Sequence, residues 1–349
     1  MRRGRIWLLM AIHVVLASVN YVVAKGATGA FPSMSALTMA RAGISAVLLL
    51  ALTGTVIPRP RFTAGEWLRI AGLGFLVVPL NQYLFLLGLR DTAPGHAALL
   101  YAMTPLGVLL LHAALVGRRP PALKLLGVLV AFAGALVVLR PWDTSDAKFH
   151  EIRTGDAWIA AGAVVWVIYT VATTPLVRAH DSRTVTAWSL IVGAAMFVPF
   201  AAADVAAVDY GALPPEAWWG LASLVILASC VMMLLWNFLL RHLQPVEVAI
   251  CSNAQPVATA SLTALLHWAG RPVPDADLGA AFWAGTALVV TGVALTQRRS
   301  AGPGRGVVVR GPAPRDRYHP RHGSATTGSL PRSGSGRAQR AAAVPEDSR

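Results

Sequence analysis

Ten apolar runs, each near the roughly 20 residues that a helix needs to cross a bilayer, constrain this chain more than any other feature. They lie at about 7–24, 34–57, 67–89, 95–116, 122–139, 156–177, 184–203, 217–240, 246–267 and 277–297. Charged residues make up 13% of the sequence, about half the usual share in soluble proteins. Because continuous runs of this length satisfy their backbone in a bilayer as helices, we predict an all-α integral membrane protein with ten transmembrane helices.

The charges between the runs predict the orientation of the chain. Residues 1–24 also resemble a signal peptide, but nine further runs follow and an uncleaved first helix gives a consistent charge pattern. With the N-terminus inside, the cytoplasmic side carries thirteen Lys and Arg residues and the opposite side six. This agrees with the positive-inside rule. We expect a multi-pass protein of the cell (plasma) membrane with both termini in the cytoplasm.

The net charge of +14 does not indicate a nucleic-acid partner. Residues 300–349 carry nine Arg and three acidic residues within a sequence rich in Gly, Pro and Ser. Such a composition cannot bury a core, so we predict a disordered basic tail over residues 298–349. A solvated tail without a specific role is a simpler interpretation than contact with lipid or nucleic acid. The cysteines Cys230 and Cys251 lie within predicted spans, so neither a disulfide framework nor a metal site is expected.

An internal repeat divides the chain. RDTAPGHAALLYAMTP (90–105) aligns without a gap with RHLQPVEVAICSNAQP (241–256). We predict two five-helix repeats, residues 1–140 and 156–297, joined by a loop at 141–155. Because five is odd, the second repeat enters the membrane from the opposite side. Inverted repeats of this kind occur in many secondary transporters, whose substrate site lies near the middle of the membrane between the repeats.

The repeat also explains why polar residues collect in the fourth and ninth spans. Three polar pairs coincide in the alignment: His96 with Glu247, Tyr101 with Ser252, and Thr104 with Gln255. Pro105 and Pro256 each remove a backbone donor and free a carbonyl, which membrane helices tolerate beside a cavity or a neighbouring helix. We predict that these two segments face each other across a central cavity.

The whole chain apart from its tail resembles the drug/metabolite transporter (DMT) superfamily, EamA type. The stretch NYVVAKGATGAFPSMSALTMARAGISA (20–46) resembles the family's first hairpin, with Lys25 closing helix one and Arg41 entering helix two. Family members usually carry Gly-Glu after helices four and nine, where this chain has Arg118 and Arg271 after the glycine. The resemblance implies a secondary transporter, often an exporter, of small metabolites or drug-like solutes such as amino acids, nucleobases, sugars or cations.

Other functional classes find little support in the sequence. The chain contains no P-loop pattern, so transport would depend on a proton, ion or solute gradient, or be uncoupled in a facilitator. No catalytic motif of an intramembrane enzyme occurs, and we expect neither catalysis nor a cofactor. A non-transporting membrane scaffold or receptor remains an alternative, and a dry, fully packed interface between the repeats would favour it.

Seven residues are candidates for substrate binding. They are Arg41, Asn81, Gln82, Tyr101, Thr104, Asn253 and Gln255. Arg41 lies seven residues inside its span, where a charge costs on the order of 2.5–3.5 kcal/mol. It could bind a substrate carboxylate or phosphate, or pair with carbonyl groups or Glu247. Hydrogen bonds between helices could equally account for the neutral candidates, at about 0.6 kcal/mol per pair.

Three residues are candidates for coupling transport to protons: Glu247, His96 and His13. Glu247 could carry the proton or bind a cationic substrate, or it could be a solvated residue one turn into helix nine. A histidine can relay protons, although a histidine hydrogen-bonded within the bundle is the simpler interpretation. If Arg41 and Glu247 both face the cavity, a zwitterion such as an amino acid would match their charges.

Overall fold

The computed structural model describes residues 3–92, 94–139, 154–270 and 279–298, and these residues form ten long helical elements and a short 3₁₀ helix at Tyr210–Ala212. They are α1 (Arg3–Ala30), α2 (Met34–Ala51), α3 (Ala64–Asp91), α4 (Pro94–Tyr101 and Thr104–Val116), α5 (Ala122–Leu139), α6 (Thr154–Ala179), α7 (Ser182–Ala207), α8 (Pro215–His242), α9 (Pro245–Ala249, Ile250–Ala254 and Gln255–Trp268) and α10 (Ala280–Gln297). The predicted tail beyond Arg298, most of the connecting loop and Arg271 lie outside the described residues. The prediction of an all-α protein with ten helices is confirmed.

Eight helices within the described residues are long and apolar enough to cross a membrane. The apolar part of α5, Ala122–Val138, is shorter, and α9 is interrupted by a 3₁₀ segment at Ile250–Ala254. The second helix ends at Ala51 rather than near residue 57. Gly54 has a φ of +94°, which favours glycine, and its N–H donates to the carbonyl of Ile57 at 2.7 Å. This turn ends the span earlier than hydropathy predicts.

The two halves repeat the same irregular features. The third helix of each half contains a π-helical segment, Leu76–Gln82 in α3 and Leu224–Met232 in α8. The fourth helix of each half is broken near its middle, and it is followed by a glycine with positive φ, +65° at Gly117 and +73° at Gly270. Glycine adopts this left-handed conformation without the penalty of a Cβ atom. The matching irregularities support two inverted five-helix repeats.

The fifth helices of the two halves, α5 and α10, pack against each other through glycines. A Cβ atom at Gly134 would lie 2.6 Å from the backbone nitrogen of Val289, and one at Gly292 would lie 2.4 Å from the carbonyl oxygen of Gly127. Only glycine permits so close an approach. Small residues at helix contacts are typical of membrane proteins, where dispersion forces hold helices together without a hydrophobic effect between them.

The helices of one half pack between those of the other. In the described part of the chain α1 contacts α8, α3 contacts α6 and α7, and α2 contacts α7. Buried apolar side chains form two clusters. The first includes Tyr21, Leu86 and Leu221, and the second includes Ile70, Leu190 and Trp236. The space between these clusters lies at the interface of the repeats.

Candidate functional site

A central cavity of about 100 Å³ lies between the two apolar clusters. Helices α1, α2, α3 and α4 of the first repeat and α6, α8 and α9 of the second contribute to it. Its lining residues are His13, Ala17, Asn20, Tyr21, Arg41, Val77, Asn81, Gln82, Phe85, Tyr101, Trp166, Ala228, Met232, Met233, Trp236, Ser252 and Gln255. A binding site at the repeat interface is the arrangement expected for inverted-repeat transporters.

The cavity brings together six of the ten residues proposed for binding and coupling. These six are Arg41, Asn81, Gln82, Tyr101, Gln255 and His13. Of the other four, Thr104, Asn253 and Glu247 do not line the cavity, and the side chain of His96 lies outside the described residues. Six of the candidates thus line one cavity, and Thr104, Asn253 and Glu247 make contacts elsewhere.

Arg41 contributes the positive charge of the cavity lining. Its side chain is only 6% exposed, and its Nε donates to the hydroxyl of Ser229 in α8 at 2.8 Å. Among the described residues no carboxylate forms a hydrogen bond or ion pair with it. A guanidinium has five N–H donors, so the bond to Ser229 leaves most of them available. Glu247, the pairing partner that the sequence suggested, lies elsewhere.

Asn81 connects three helices beside the cavity. Its amide nitrogen, in the π segment of α3, donates to the Tyr101 hydroxyl of α4 at 3.0 Å and to the Gly162 carbonyl of α6 at 2.9 Å. The shifted register of a π segment projects side chains that a regular helix would place elsewhere, and such segments are frequent at functional sites. Asn81 and Tyr101 both line the cavity, and the hydrogen bond between them fixes the positions of their side chains.

Several buried polar groups of the cavity lining have no hydrogen-bond partner within the described residues. They are both ring nitrogens of His13, Oδ1 of Asn20, both amide atoms of Gln82 and Nε1 of Trp236. Buried polar side chains nearly always have partners, and each exception calls for an explanation. A cluster of four such residues around one cavity is typical of a site that binds a polar molecule.

The breaks in α4 and α9 meet each other through Asn253, and Thr104 lies at the break in α4. The Thr104 hydroxyl donates to the Tyr101 carbonyl at 2.7 Å, at the break in α4. The Asn253 amide is assigned the orientation in which both its nitrogen and its oxygen form hydrogen bonds. In that orientation the nitrogen donates to the Ala102 carbonyl and the oxygen accepts from the Phe132 N–H, both at 3.0 Å. In the structure neither of these candidate binding residues lines the cavity: Thr104 bonds within α4, and Asn253 joins α9 to α4 and α5.

The two prolines begin the second part of each broken helix. Pro105 lies in the first turn of Thr104–Val116, and Pro256 lies in the first turn of Gln255–Trp268. A proline is well accommodated there, because the N–H groups of a first turn have no partner within the helix. The prolines therefore mark where each half-helix starts, next to the backbone groups that the breaks release.

Glu247 lies at the start of α9 in an ion pair. Its Oε1 is 2.8 Å from Nζ of Lys124 in α5, and the same ammonium donates to Oε1 of Gln244 at 2.6 Å. Oε2 of Glu247 accepts from the Gln244 backbone N–H at 3.1 Å in a capping box. Its backbone carbonyl accepts from the Gln297 amide at 2.9 Å. These contacts join α5, α9 and α10 at one end of the bundle.

Two aromatic groups line the cavity. Phe85 lies 5.7 Å from Tyr21 and 5.8 Å from Tyr101 between ring centroids. Trp236 lies 5.1 Å from both Trp166 and His13. Both groups give the cavity apolar sides around its polar atoms.

Asn20 and Tyr21 are cavity residues that sequence reasoning missed. They belong to the stretch that resembles the family's first hairpin, and they lie well inside α1. The available signal was the presence of an amide within a long apolar run, because such side chains in a membrane span face the protein interior. The criterion that selected Asn81 and Gln82 in the third span also applies to Asn20 in the first.

Comparison with known proteins gives one family and several relatives. The profile of the EamA-like transporter family matches residues 5–140 and 153–298. "Uncharacterized transporter YyaM" of Bacillus subtilis (strain 168) is 24% identical, over 74% of this chain and 85% of the relative. A "Probable terminal-alkyne amino-acid exporter" of Streptantibioticus cattleyicolor is 27% identical, over 85% of this chain and 94% of the relative. A crystal structure of a protein 24% identical in sequence superimposes with a TM-score of 0.61, covering 84% of this chain and 97% of that one. That last likeness concerns the fold alone.

Proposed function

The chain belongs to the EamA-like transporter family, and we propose that it is a secondary active transporter that exports small organic solutes through the central cavity. Transport proceeds by alternating access, as the two repeats, residues 1–140 and 156–297, rock about the cavity. The observation that carries this proposal is a cavity between the repeats, lined by buried polar groups without partners from both of them. A dry, packed interface would instead have favoured a scaffold or receptor.

The name of one relative supports outward transport, and the volume of the cavity supports a solute of amino-acid size. The Streptantibioticus cattleyicolor relative is named as a probable exporter of a terminal-alkyne amino acid. The cavity of about 100 Å³ is smaller than the roughly 300–1,000 Å³ typical of pockets for drug-sized ligands. Both observations favour a small solute over a large drug-like cation. We therefore take amino acids as the first solutes to test.

The orientation of the protein in the membrane is part of the proposal. We place it in the cell membrane with both termini in the cytoplasm, because Lys and Arg are concentrated in the loops on that side. In this orientation the end of the bundle that contains Lys124 and Glu247 faces the cytoplasm. A reporter fused after Arg5 or Arg298 that is active only in the cytoplasm checks this arrangement, and activity only outside the cell would contradict it.

Coupling to protons is proposed for His13, which lines the cavity. Glu247, paired with Lys124, is the second coupling candidate, and His96 stays a sequence-based candidate. The described cavity lining contains no carboxylate, and this favours an uncoupled facilitator as the alternative function. The two functions differ in one property: only the coupled transporter accumulates solute against its gradient.

The test is a flux assay in proteoliposomes with a pH-sensitive dye inside. Purified protein is supplied with pools of amino acids, nucleobases, sugars and cationic dyes, with and without a pH gradient. We expect flux of a member of the amino-acid pool, accumulated when a pH gradient is imposed. Flux without any effect of the gradient would indicate the facilitator. No flux in any pool, with folded protein in the vesicles, would overturn the proposed function.

A further inference from the structure

Arg41 lies in the cavity as a buried cation that is paired with no carboxylate of the described residues. Its charge is taken out of water into the middle of the bundle, where only the Ser229 hydroxyl receives one of its N–H groups in the described part of the chain. Positioning such a group costs several kcal/mol of insertion free energy. A carboxylate is the partner that matches a guanidinium best, because its two oxygens accept two parallel N–H bonds.

Neutral acceptors complement this cation within the same cavity. Oδ1 of Asn20 and Oε1 of Gln82 are buried oxygens without a donor among the described residues. Both lie on helices of the first repeat, as does Arg41. An ammonium group has three donors and no acceptor, so amide oxygens can bind it without a second charge. The cavity therefore presents donors for an anion and acceptors for an amine.

We propose that the transported solute is a zwitterionic amino acid with an apolar side chain, held by its carboxylate on Arg41 and by its ammonium on Asn20 and Gln82. This inference rests on the proposed transport function and specifies its substrate. The aromatic groups around Phe85 and Trp236 surround the apolar side chain of the solute. Glu247 takes no part in binding, because it is paired with Lys124 outside the cavity lining.

Other solute classes fit these charges less well. A purely cationic drug would leave Arg41 unpaired and place a second positive charge beside it. A phosphate ester with two negative charges would find a single cation, because Arg41 is the one Lys or Arg in the described cavity lining. A neutral sugar would leave the guanidinium without an anion. A zwitterion satisfies the cation and the amide oxygens and adds no net charge.

The experiment compares matched solutes on the wild-type protein. Proteoliposomes are supplied with L-leucine and L-phenylalanine, with the carboxamide of each, and with the amine that lacks the carboxyl group. We expect flux of the amino acids and at least about 30-fold lower kcat/KM for the carboxamides and amines, because a desolvated guanidinium left without its partner is costly. Equal flux of acid and carboxamide would overturn this inference and leave the transport function standing. Flux of none of these solutes would overturn this inference, whereas the transport function falls only if no pool of the flux assay is transported.

Variants of Arg41 test the same point independently. Arg41→Gln should transport the amino acid and its carboxamide equally well. Arg41→Lys keeps the positive charge and should therefore keep part of the discrimination between these two solutes. Arg69→Gln, at an exposed arginine of α3, is the matched control and should transport like wild type. Unchanged discrimination in folded Arg41→Gln would overturn the assignment. If that variant does not fold, the matched solutes on wild type decide the matter.

Discussion

The ammonium group of Lys25 lies 2.8 Å from the carbonyl oxygen of Leu89 and thereby joins the end of α1 to the end of α3. The same group donates to the carbonyl of Thr92 at 2.9 Å. At the opposite end of the bundle, Arg178 of α6 donates to the carbonyl of Leu243, just after α8, at 2.8 Å. Thr92 and Leu243 occupy matching positions in the aligned repeats. Each repeat thus has a basic residue of its first helix bonded to carbonyl groups at the C-terminal end of its third helix, and the two contacts lie at opposite ends of the bundle. The partial negative charge of a helix C-terminus stabilises a cation there.

Removing either contact should open the corresponding end of the cavity. Lys25→Met and Arg178→Met each lose charged hydrogen bonds worth roughly 1–2 kcal/mol at partly exposed sites, or about five- to thirtyfold in an equilibrium. The readout is labelling of Ser252→Cys, in a background with Cys230→Ala and Cys251→Ala, by an impermeant maleimide. We expect faster labelling from outside in Lys25→Met and from the cytoplasm in Arg178→Met. Arg69→Met is the control, and acceleration from the same side in both variants would contradict the prediction.

The ion pair of Glu247 with Lys124 should contribute to stability. Lys124 has a side chain only 6% exposed, so Glu247→Gln leaves a buried ammonium with neutral acceptors only. We expect a loss of about 1–3 kcal/mol in the free energy of unfolding, measured by denaturant titration in detergent. Glu216→Gln, at an exposed glutamate of α8, should be neutral. Unchanged stability combined with loss of proton movement would instead assign Glu247 to coupling.

The close contact of α5 with α10 makes a specific prediction for glycine substitutions. Gly134→Ala should destabilise the protein by roughly 1–3 kcal/mol, because its Cβ would lie 2.6 Å from the backbone nitrogen of Val289. Gly72→Ala, where nothing lies within 4 Å of the added atom, should be neutral or stabilising by up to about 1 kcal/mol through helix propensity. Thermal unfolding of both variants measures the difference. Equal effects would contradict the packing at Gly134.

His13 should be required for coupling but not for solute exchange. Its ring lies 5.1 Å from Trp236, at 73°, and His13→Phe keeps an aromatic ring there while it removes the titratable group. We expect exchange of solute across vesicles at near wild-type rates and loss of accumulation driven by a pH gradient. His112→Phe is the control, because His112 does not line the cavity. Accumulation at the wild-type level in His13→Phe would exclude this role.

The sequence by itself determined the helices, their number and the repeat. Hydropathy over 20 residues is a local property, and an apolar run in a bilayer must form a helix to satisfy its own backbone hydrogen bonds. The prolines and the aligned polar positions of the fourth and ninth spans likewise located two broken helices that contact each other. The resemblance to EamA-type transporters was confirmed by the family match over both halves.

Only the tertiary structure decided which polar residues share the cavity. The direction of a side chain depends on how its helix is rotated, and the π segments in α3 and α8 shift that rotation in a way that hydropathy does not record. The rotation of α1 in the bundle likewise turns Asn20 toward the cavity. In α9, Asn253 instead joins the breaks of two helices. The position of Glu247 in the repeat predicted a place beside the cavity. Its ion pair with Lys124 was not predictable, because the two residues are 123 positions apart in the chain. Contacts between residues so far apart follow from packing, which a single sequence does not display.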